Sequence, residues 1–293
     1  MHRSGFVNII GNPNVGQSTL MNALVGEKLS IITSKAQTTR HRIMGIVSGE
    51  DFQIVYSDTP GILKPSYKLQ ESMMKFVTGA LTDADVILYV TDTVEQSERS
   101  AEIVDSIRRS GIPTVVVINK IDLSTPEALE ALVDKWQAEI PGAQVVPTSA
   151  KENFNIEGLF RTILSLLPEG PAFYPKDTLT DKTLRFFASE IIREKILRFY
   201  DKEIPYCCEI EIESYREEPT IDRIAATIYV ARESQKGILI GHKGEKLKRV
   251  GQAAREDMEQ FLGKKVFLQL FVKVSEDWRN NERQLRRFGY EQE

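Results

Sequence analysis

Cysteine is nearly absent from this chain. Cys207 and Cys208 are the only two, and being adjacent they match no zinc or redox spacing and build no disulfide framework. A disulfide miniprotein is excluded, and a reducing cytosol is the expected setting. Long apolar runs are missing too: no stretch reaches the roughly 18 residues that a membrane helix needs. Met1-His2-Arg3-Ser4 leads straight into the strand-like GFVNIIG rather than into the apolar stretch of a signal peptide. The chain is therefore expected neither to span a membrane nor to be exported. There are no internal repeats and no low-complexity tracts, so solenoids and disordered arrays are set aside.

What is present fits ordinary globular domains: 293 residues, 41% hydrophobic and 27% charged. That length suits two domains of common size. The net charge of −4 hides an asymmetry about the Pro-rich stretch PEGPAFYP, residues 168–175. Before Lys176 there are 15 Lys and Arg against 20 Asp and Glu; from Lys176 onward there are 23 against 22. The second half also clusters its bases, at Lys243, Lys246, Lys248 and Arg249 and again at Arg279, Arg283, Arg286 and Arg287. Local patches, not total charge, are expected to choose its partners.

The first half alternates apolar runs with helical patterns: FVNIIG then STLMNALVG, FQIVYSD, VILYVTD then SAEIVDSIRRSG, TVVVINK then PEALEALVDKW, QVVPTSA then IEGLFRTILSLL. Runs such as Val86–Val90 and Thr114–Ile118 are apolar on both faces, as strands covered by helices on both sides of a mostly parallel sheet should be. Ligands then belong at the carboxyl ends of the strands. After the Pro-rich stretch the order changes. A helix is predicted from about Asp181 to Tyr200, with Leu184, Phe187, Ala188, Ile191, Ile192, Ile196 and Phe199 on one stripe that reads as core packing. CCEIEIESY and RIAATIYVA alternate as an antiparallel pair with one solvated face. Two helices around a turn and a last strand, VFLQLFVKV, follow, and the polar tail is predicted to be helical in part.

Four strand-end segments carry chemistry. Gly11-Asn12-Pro13-Asn14-Val15-Gly16-Gln17-Ser18-Thr19 follows a strand and opens a helix, the setting of a phosphate-binding loop. Its glycines let successive N–H groups converge on an anion at the helix N-terminus, and Ser18 can offer a hydroxyl to Mg²⁺. The usual pattern has lysine where this chain has Gln17, which donates a hydrogen bond but brings no charge to the β- and γ-phosphates. Asp58-Thr59-Pro60-Gly61 ends the strand FQIVYS, where an Asp can hold Mg²⁺ through water and a Gly can lend its N–H to a γ-phosphate. Asn119-Lys120-Ile121-Asp122 ends TVVVI, and a carboxylate accepting two N–H donors selects guanine over adenine. Ser149-Ala150-Lys151 ends QVVPT and adds a loop whose backbone can reach the guanine O6.

In order, placement and spacing these motifs resemble a translation-factor-type small GTPase, and among those the bacterial Era family. GNPNVGQST is similar to that family's phosphate loop with lysine replaced, KAQTTRHRIMGI (residues 35–46) to its first switch and DTPGI to its second. The resemblance implies that Thr39, with Thr38 beside it, closes on Mg²⁺ together with Ser18 and Asp58 when a γ-phosphate is present. Without the other motifs this threonine pair would read as a solvated loop. Ile62 follows Gly61 where a Ras-type enzyme positions water with Gln, and an apolar side chain cannot orient water. The resemblance implies another device, a potassium ion held partly by Asn14, although Asn14 can equally serve only the loop.

A second site is read at Ile238-Leu239-Ile240-Gly241-His242-Lys243-Gly244-Glu245-Lys246. A G-x-x-G turn between helices lets an RNA backbone approach closely, with Lys243 and Lys246 facing phosphates and an apolar groove for splayed bases. The order of elements resembles a type II KH domain. His242 is read first as a solvated loop residue. Trp278 and Phe288 could stack on bases, but docking of the tail is the preferred reading, and Arg279, Arg283, Arg286 and Arg287 share one face only if the tail is a single helix.

The expected architecture is thus an α/β P-loop GTPase domain over residues 1–168, a linker over 169–179 and an α+β type II KH domain with its tail over 180–293. The expected ligands are GTP or GDP with Mg²⁺, and K⁺. By resemblance the partner is the single-stranded 3′ end of small-subunit ribosomal RNA, the process is small-subunit assembly, and the place is the cytoplasm, with a loose association at the inner face of the membrane allowed. No DNA partner is expected, and a monomer is, since no heptads or long apolar edge demand a second chain. Two other readings stay open: an RNA-binding protein whose nucleotide site is impaired by Gln17, and an ATP-using P-loop enzyme, which Asn119–Asp122 disfavours.

Overall fold

The computed structural model describes residues 2–94 and 101–290. Their contacts divide the chain into two compact units, residues 1–66 with 70–181 and residues 67–69 with 182–293.

The first unit is built on β1 (Arg3–Gly11), β2 (Ile43–Ser48), β3 (Phe52–Asp58), β4 (Val86–Asp92), β5 (Thr114–Asn119) and β6 (Gln144–Pro147), in the order β2-β3-β1-β4-β5-β6. Only β2 runs antiparallel to its neighbour. Every residue of β4 and β5 is buried, as both-face apolar runs require. Helices α1 (Gln17–Val25), α2 (Lys68–Thr82), α3 (Ala101–Ser110), α4 (Pro126–Glu139) and α5 (Ile156–Leu166) complete the unit. Part of its core gathers Ile10, Tyr89, Val116 and Ile118 from the strands with Val77, Val104, Ile107 and Trp136 from α2, α3 and α4. Register matters most for function. Ile9 pairs with Asp58, Gly11 with Val90, Asp92 with Asn119, and Ile118 with Pro147, which brings all four motif segments to one edge of the sheet.

The residues read as a linker lie against this same unit. Gly170 N donates to the His2 carbonyl at 3.1 Å, Phe173 and Tyr174 donate their N–H groups to Gln53 Oε1, and Ile46 N donates to the Leu179 carbonyl at 2.8 Å.

The second unit opens with α6 (Leu184–Phe199) and the short α7 (Ile204–Cys207). It continues through β7 (Glu209–Glu217), β8 (Ile221–Val230), α8 (Glu233–Ile240), α9 (Glu245–Leu262) and β9 (Lys265–Val274), and ends in α10 (Glu282–Arg287). The sheet order is β7-β8-β9, with β7 and β8 antiparallel and β8 and β9 parallel. The core joins Ile192, Ile196, Ile210, Ile224, Ile228, Val250 and Met258. Helix α6 begins where Thr183 Oγ1 accepts the Phe186 N–H, two residues inside the expected start. It is not the one-sided helix that its apolar stripe predicts. Glu190, Arg193, Glu194 and Lys195 are buried as well, because Arg193 pairs with Glu190 at 2.6 Å and Lys195 reaches both Glu194 and Asp257. Pairing removes the penalty that would otherwise keep these charges in water. Both cysteines are buried and form no disulfide. Among the described residues no helix is long and apolar enough to cross a membrane.

Candidate nucleotide and RNA sites

The loop after β1 is shaped by positions that exclude larger side chains or need a left-handed backbone. Gly16 has φ 96°, and a Cβ there would collide with Asn119 Nδ2; a Cβ on Gly11 would collide with the Val90 carbonyl. Asn14 is left-handed too, at φ 68°, and stands exposed. Asn119 ties the loop to the base-binding side: its Nδ2 donates to the Val15 carbonyl at 2.9 Å and its Oδ1 accepts the Ala150 N–H at 3.0 Å. Lys120 Nζ reaches the Asn14 carbonyl at 2.5 Å and Asp92 Oδ2 at 2.6 Å. Asp92 belongs to the site unforeseen, although its position at the end of VILYVTD is a usable signal. Asp122 is exposed and oriented by Ser149 Oγ, which donates to it at 2.6 Å, while Lys151 is solvent-facing and paired with Glu152. A carboxylate and a buried Ala150 backbone are thus set side by side for a base.

At the other end three oxygens converge. Ser18 Oγ donates to Asp58 Oδ2 at 2.7 Å and lies 2.9 Å from Thr39 Oγ1, which is itself 3.4 Å from Asp58 Oδ2. Asp58 Oδ1 is buried with no hydrogen-bond partner. Burial pushes the Asp58 carboxyl up to about 6, against the bonds from Ser18 and Thr39 that favour its charged form. A buried carboxylate with one oxygen lacking a partner, beside two hydroxyls, is a donor set that a hard divalent cation satisfies, so the residues fit Mg²⁺. Among the described residues no cluster of three or more His, Cys, Asp or Glu offers another metal site. Of the two adjacent threonines, Thr39 faces this cluster. Thr38 Oγ1 turns away to the Lys35 carbonyl at 2.6 Å.

The second switch packs on the phosphate loop. Ile62 N donates to the Gly11 carbonyl at 2.9 Å, Thr59 Oγ1 donates to the Ile9 carbonyl at 2.8 Å, and a Cβ on Gly61 would stand 2.8 Å from Pro13 Cα. Pro60 is buried, and Ile62 is buried in the core behind the loop, away from any water-orienting role. Gln17 is buried and turns its amide back on the loop: Nε2 donates to the Gly11 carbonyl at 2.8 Å and the Asn12 carbonyl at 3.3 Å, leaving Oε1 without a donor. It keeps the loop closed as an ammonium would, without the charge. Between these parts opens a cleft of about 370 Å³ bounded by the phosphate loop, residues 31–39, Thr59, Gly61 and Lys120.

The sign of the Asp58 shift gives a pH dependence. The folded value lies above the ordinary 3.8, so without metal the group favours folding only while protonated and loses that contribution as pH rises through about 6. Metal must displace the proton. Mg²⁺ titrations of the nucleotide complex are expected to show constant affinity above pH 7 and a loss of about tenfold per unit below pH 6. A flat profile from pH 5 to 8 would show that Asp58 is not the metal carboxylate.

In the second unit, α8 ends at Ile240 and the turn follows with Gly241 at φ 73°, Lys243 at φ 48° and Gly244 at φ 80°. A Cβ on Gly241 would stand 2.7 Å from Lys246 Cγ, so the first glycine of the turn is required by packing as well as by its dihedral. His242, Lys243 and Lys246 are exposed, and α9 points its N-terminus at this turn. Ile238, at the start of the segment read as this site, adds a large exposed apolar side chain, and Arg249 lies over the Phe199 ring at 4.2 Å. The tail aromatics are not free to stack: Trp278 is fully buried with its Nε1 donating to the Cys207 carbonyl at 2.9 Å, and Phe288 packs edge-on against it. The tail bases do not share one helix, because Arg279 sits in a separate turn and Asn281 caps α10 before Arg283.

Comparison with known proteins finds relatives of both units. A family model for 50S ribosome-binding GTPases matches residues 6–120 and a KH domain model matches residues 203–279. The GTPase Era of Alkaliphilus metalliredigens (strain QYMF) is 45% identical over 293 residues, covering 99% of each chain. A crystal structure of Era in complex with MgGDPNP and nucleotides 1506–1542 of 16S ribosomal RNA superposes with a TM-score of 0.96 at 40% identity, covering 100% of both chains. A tyrosine-to-alanine variant of Aquifex aeolicus Era, bound to GDP·AlF4⁻, superposes at 0.95 and 40% identity, covering 99% of this chain and 100% of that one.

Proposed function

The chain belongs to the Era family of GTPases, and from that premise we propose that it is a Mg²⁺-dependent GTP switch whose KH unit binds the single-stranded 3′ end of small-subunit ribosomal RNA during subunit assembly, with turnover lowered by Gln17. The observation that carries the switch is the meeting of Ser18, Thr39 and Asp58 beside a phosphate loop, since Thr39 lies in a loop that can leave and the other two cannot. Bound Mg²⁺ supplies charge neutralisation for the phosphates. The chain's own residues do the rest. Backbone N–H groups from Asn14 to Thr19 cradle the phosphates, Gly61 presents its N–H at the γ-position, and Asp122 with Ala150 reads guanine.

Because Ile62 orients no water, the reading assigns the missing charge to a potassium ion held in part by the exposed Asn14. It keeps the protein in the cytoplasm, as a monomer without a DNA partner, any loose contact with the inner face of the membrane being made by its surface. A second reading, an RNA-binding protein with an impaired nucleotide site, is favoured by one observation: both amide protons of Gln17 are spent on loop carbonyls. Multiple-turnover phosphate release separates the two. A GTPase releases phosphate from GTP above a protein-free blank; no release, even from a Gln17→Lys variant, contradicts the switch.

For the RNA site, replacing His242 and Lys243 by Asp is expected to leave the fold intact, since Asp tolerates the left-handed backbone at position 243. Two carboxylates would then face the phosphate chain, and affinity for a single-stranded oligonucleotide of the 16S 3′ end should fall at least about tenfold in filter binding. Unchanged affinity would place the RNA elsewhere.

A further inference from the structure

Arg42 is buried, as an arginine is only when its charge is paired. Its guanidinium spends its donors on three elements at once. Nε donates to Ser57 Oγ on β3 at 2.6 Å, and Nη2 donates to Asn8 Oδ1 on β1 at 3.1 Å. Nη1 and Nη2 also grip the two carboxylate oxygens of Asp83, just beyond the end of α2, at 2.5 and 3.0 Å. Asn8 closes the network by donating to Asp83 Oδ1 and to the Ala80 carbonyl, both at 2.7 Å. The place of this clamp in the chain ties it to the metal-binding end. Arg42 stands three residues after Thr39, and Ser57 immediately precedes Asp58. Residues 32–38 are exposed or partly so, whereas Thr39, Arg40 and Arg42 are buried. The clamp therefore holds the inner end of the first switch, where the solvated loop becomes packed chain.

We propose that Arg42 is a positioning residue for the triphosphate state: by fixing the chain beyond Thr39 to the strand that carries Asp58, it keeps the Thr39 hydroxyl within reach of Ser18 and Asp58. The inference rests on reading those three residues as the Mg²⁺ site of a GTP switch. The ladder between β2 and β3 begins only at Ile43, opposite Asp58, and the first pair of a strand frays. A side chain that pins the residue before that pair stops the fraying from reaching Thr39. Arginine suits the task because its planar fork meets the Asp83 carboxylate in one orientation, which a lysine does not impose. An ion pair taken largely out of water contributes little net stability, so what this one supplies is fixed geometry.

The test is made on the full chain with Arg42→Gln, Arg42→Lys and Asp83→Asn, titrated with GDPNP and with GDP in Mg²⁺ and followed by amide hydrogen exchange without nucleotide. Arg42→Gln is expected to weaken GDPNP binding about tenfold or more and GDP binding less than about threefold, since only the triphosphate state uses Thr39. Exchange should quicken at residues 38–43 and stay unchanged in β4 and β5. Asp83→Asn keeps the partner's shape and removes its charge, so it should show the same selectivity at a smaller size, with Ser57 and Asn8 still holding the guanidinium. Arg42→Lys should fall between Arg and Gln. Equal losses for GDPNP and GDP, or exchange that quickens throughout the sheet, would reduce the clamp to a structural role and overturn the inference. Unchanged selectivity in both Arg42→Gln and Asp83→Asn would overturn it too. Failure of the unaltered chain to bind either nucleotide would overturn the GTP reading, and this inference with it.

Discussion

Replacing Gln17 with Lys is expected to raise kcat for GTP hydrolysis by about 10²-fold or more, because a preorganised cation at the β- and γ-phosphates acts where transition-state charge develops. The structure shows why the change should be tolerated. Gln17 Nε2 already occupies the place from which a donor closes the loop on the Gly11 and Asn12 carbonyls, so an ammonium inherits both contacts. What it adds is charge and a third donor for the nucleotide. The buried Oε1 that lacks a donor disappears at the same time, which removes a polar penalty from the loop. GDP affinity should rise by a smaller factor, since most of the diphosphate contact is made by backbone N–H groups. The gain in turnover should also need potassium. Equal rates in sodium and potassium would remove Asn14 from the mechanism, and an unchanged rate in both would show that Gln17 does not limit hydrolysis.

Asp122→Asn should cost about 10²-fold or more in GTP and GDP affinity, because a carboxylate accepting two N–H groups of guanine makes two charge-assisted bonds and an amide can repeat only one of them. Its other end would oppose the exocyclic amine with an N–H. A xanthine nucleotide, which carries a carbonyl there, should lose far less and overtake GTP. Ser149 Oγ donates to Asp122 at 2.6 Å and can donate to an amide oxygen as well, so the position itself should hold. Competition between GTP and XTP for a fluorescent guanine nucleotide reads the switch in preference. Parallel losses for both would mean that Asp122 supports the loop rather than reading the base.

The phosphate loop, Asp58, Asn119 and Ser149 are legible as one site in the sequence because each closes an apolar strand, and parallel pairing then brings strand ends to one edge. The G-x-x-G turn is legible for a similar reason, since its glycines sit between two helical patterns. Pairing across the chain is not written in any local pattern. That Thr39 rather than Thr38 faces Asp58 depends on which way one turn of switch backbone rotates, and Asp92 enters the site only because β4 lies next to β5. Helix α6 hides its partners in the same way: Glu190 and Arg193 read as a solvated side until their mutual pairing and burial are seen. Helix α2 carries Val77, Thr78 and Gly79 in its centre, weak helix formers that its packing against the sheet overrides. The tail is the reverse case, in which the preferred reading of a docked Trp278 agrees with its full burial and the bond from its Nε1 to the Cys207 carbonyl.

Calorimetric titration of GDP, GTP and ATP into the unaltered chain, in potassium and Mg²⁺, bears most directly on the site as a guanine-nucleotide cleft that has kept its shape and lost one charge. GDP and GTP should each bind at a single saturable site, with ATP giving no heat of binding. Silence with both guanine nucleotides, or ATP binding on equal terms with GTP, would contradict it.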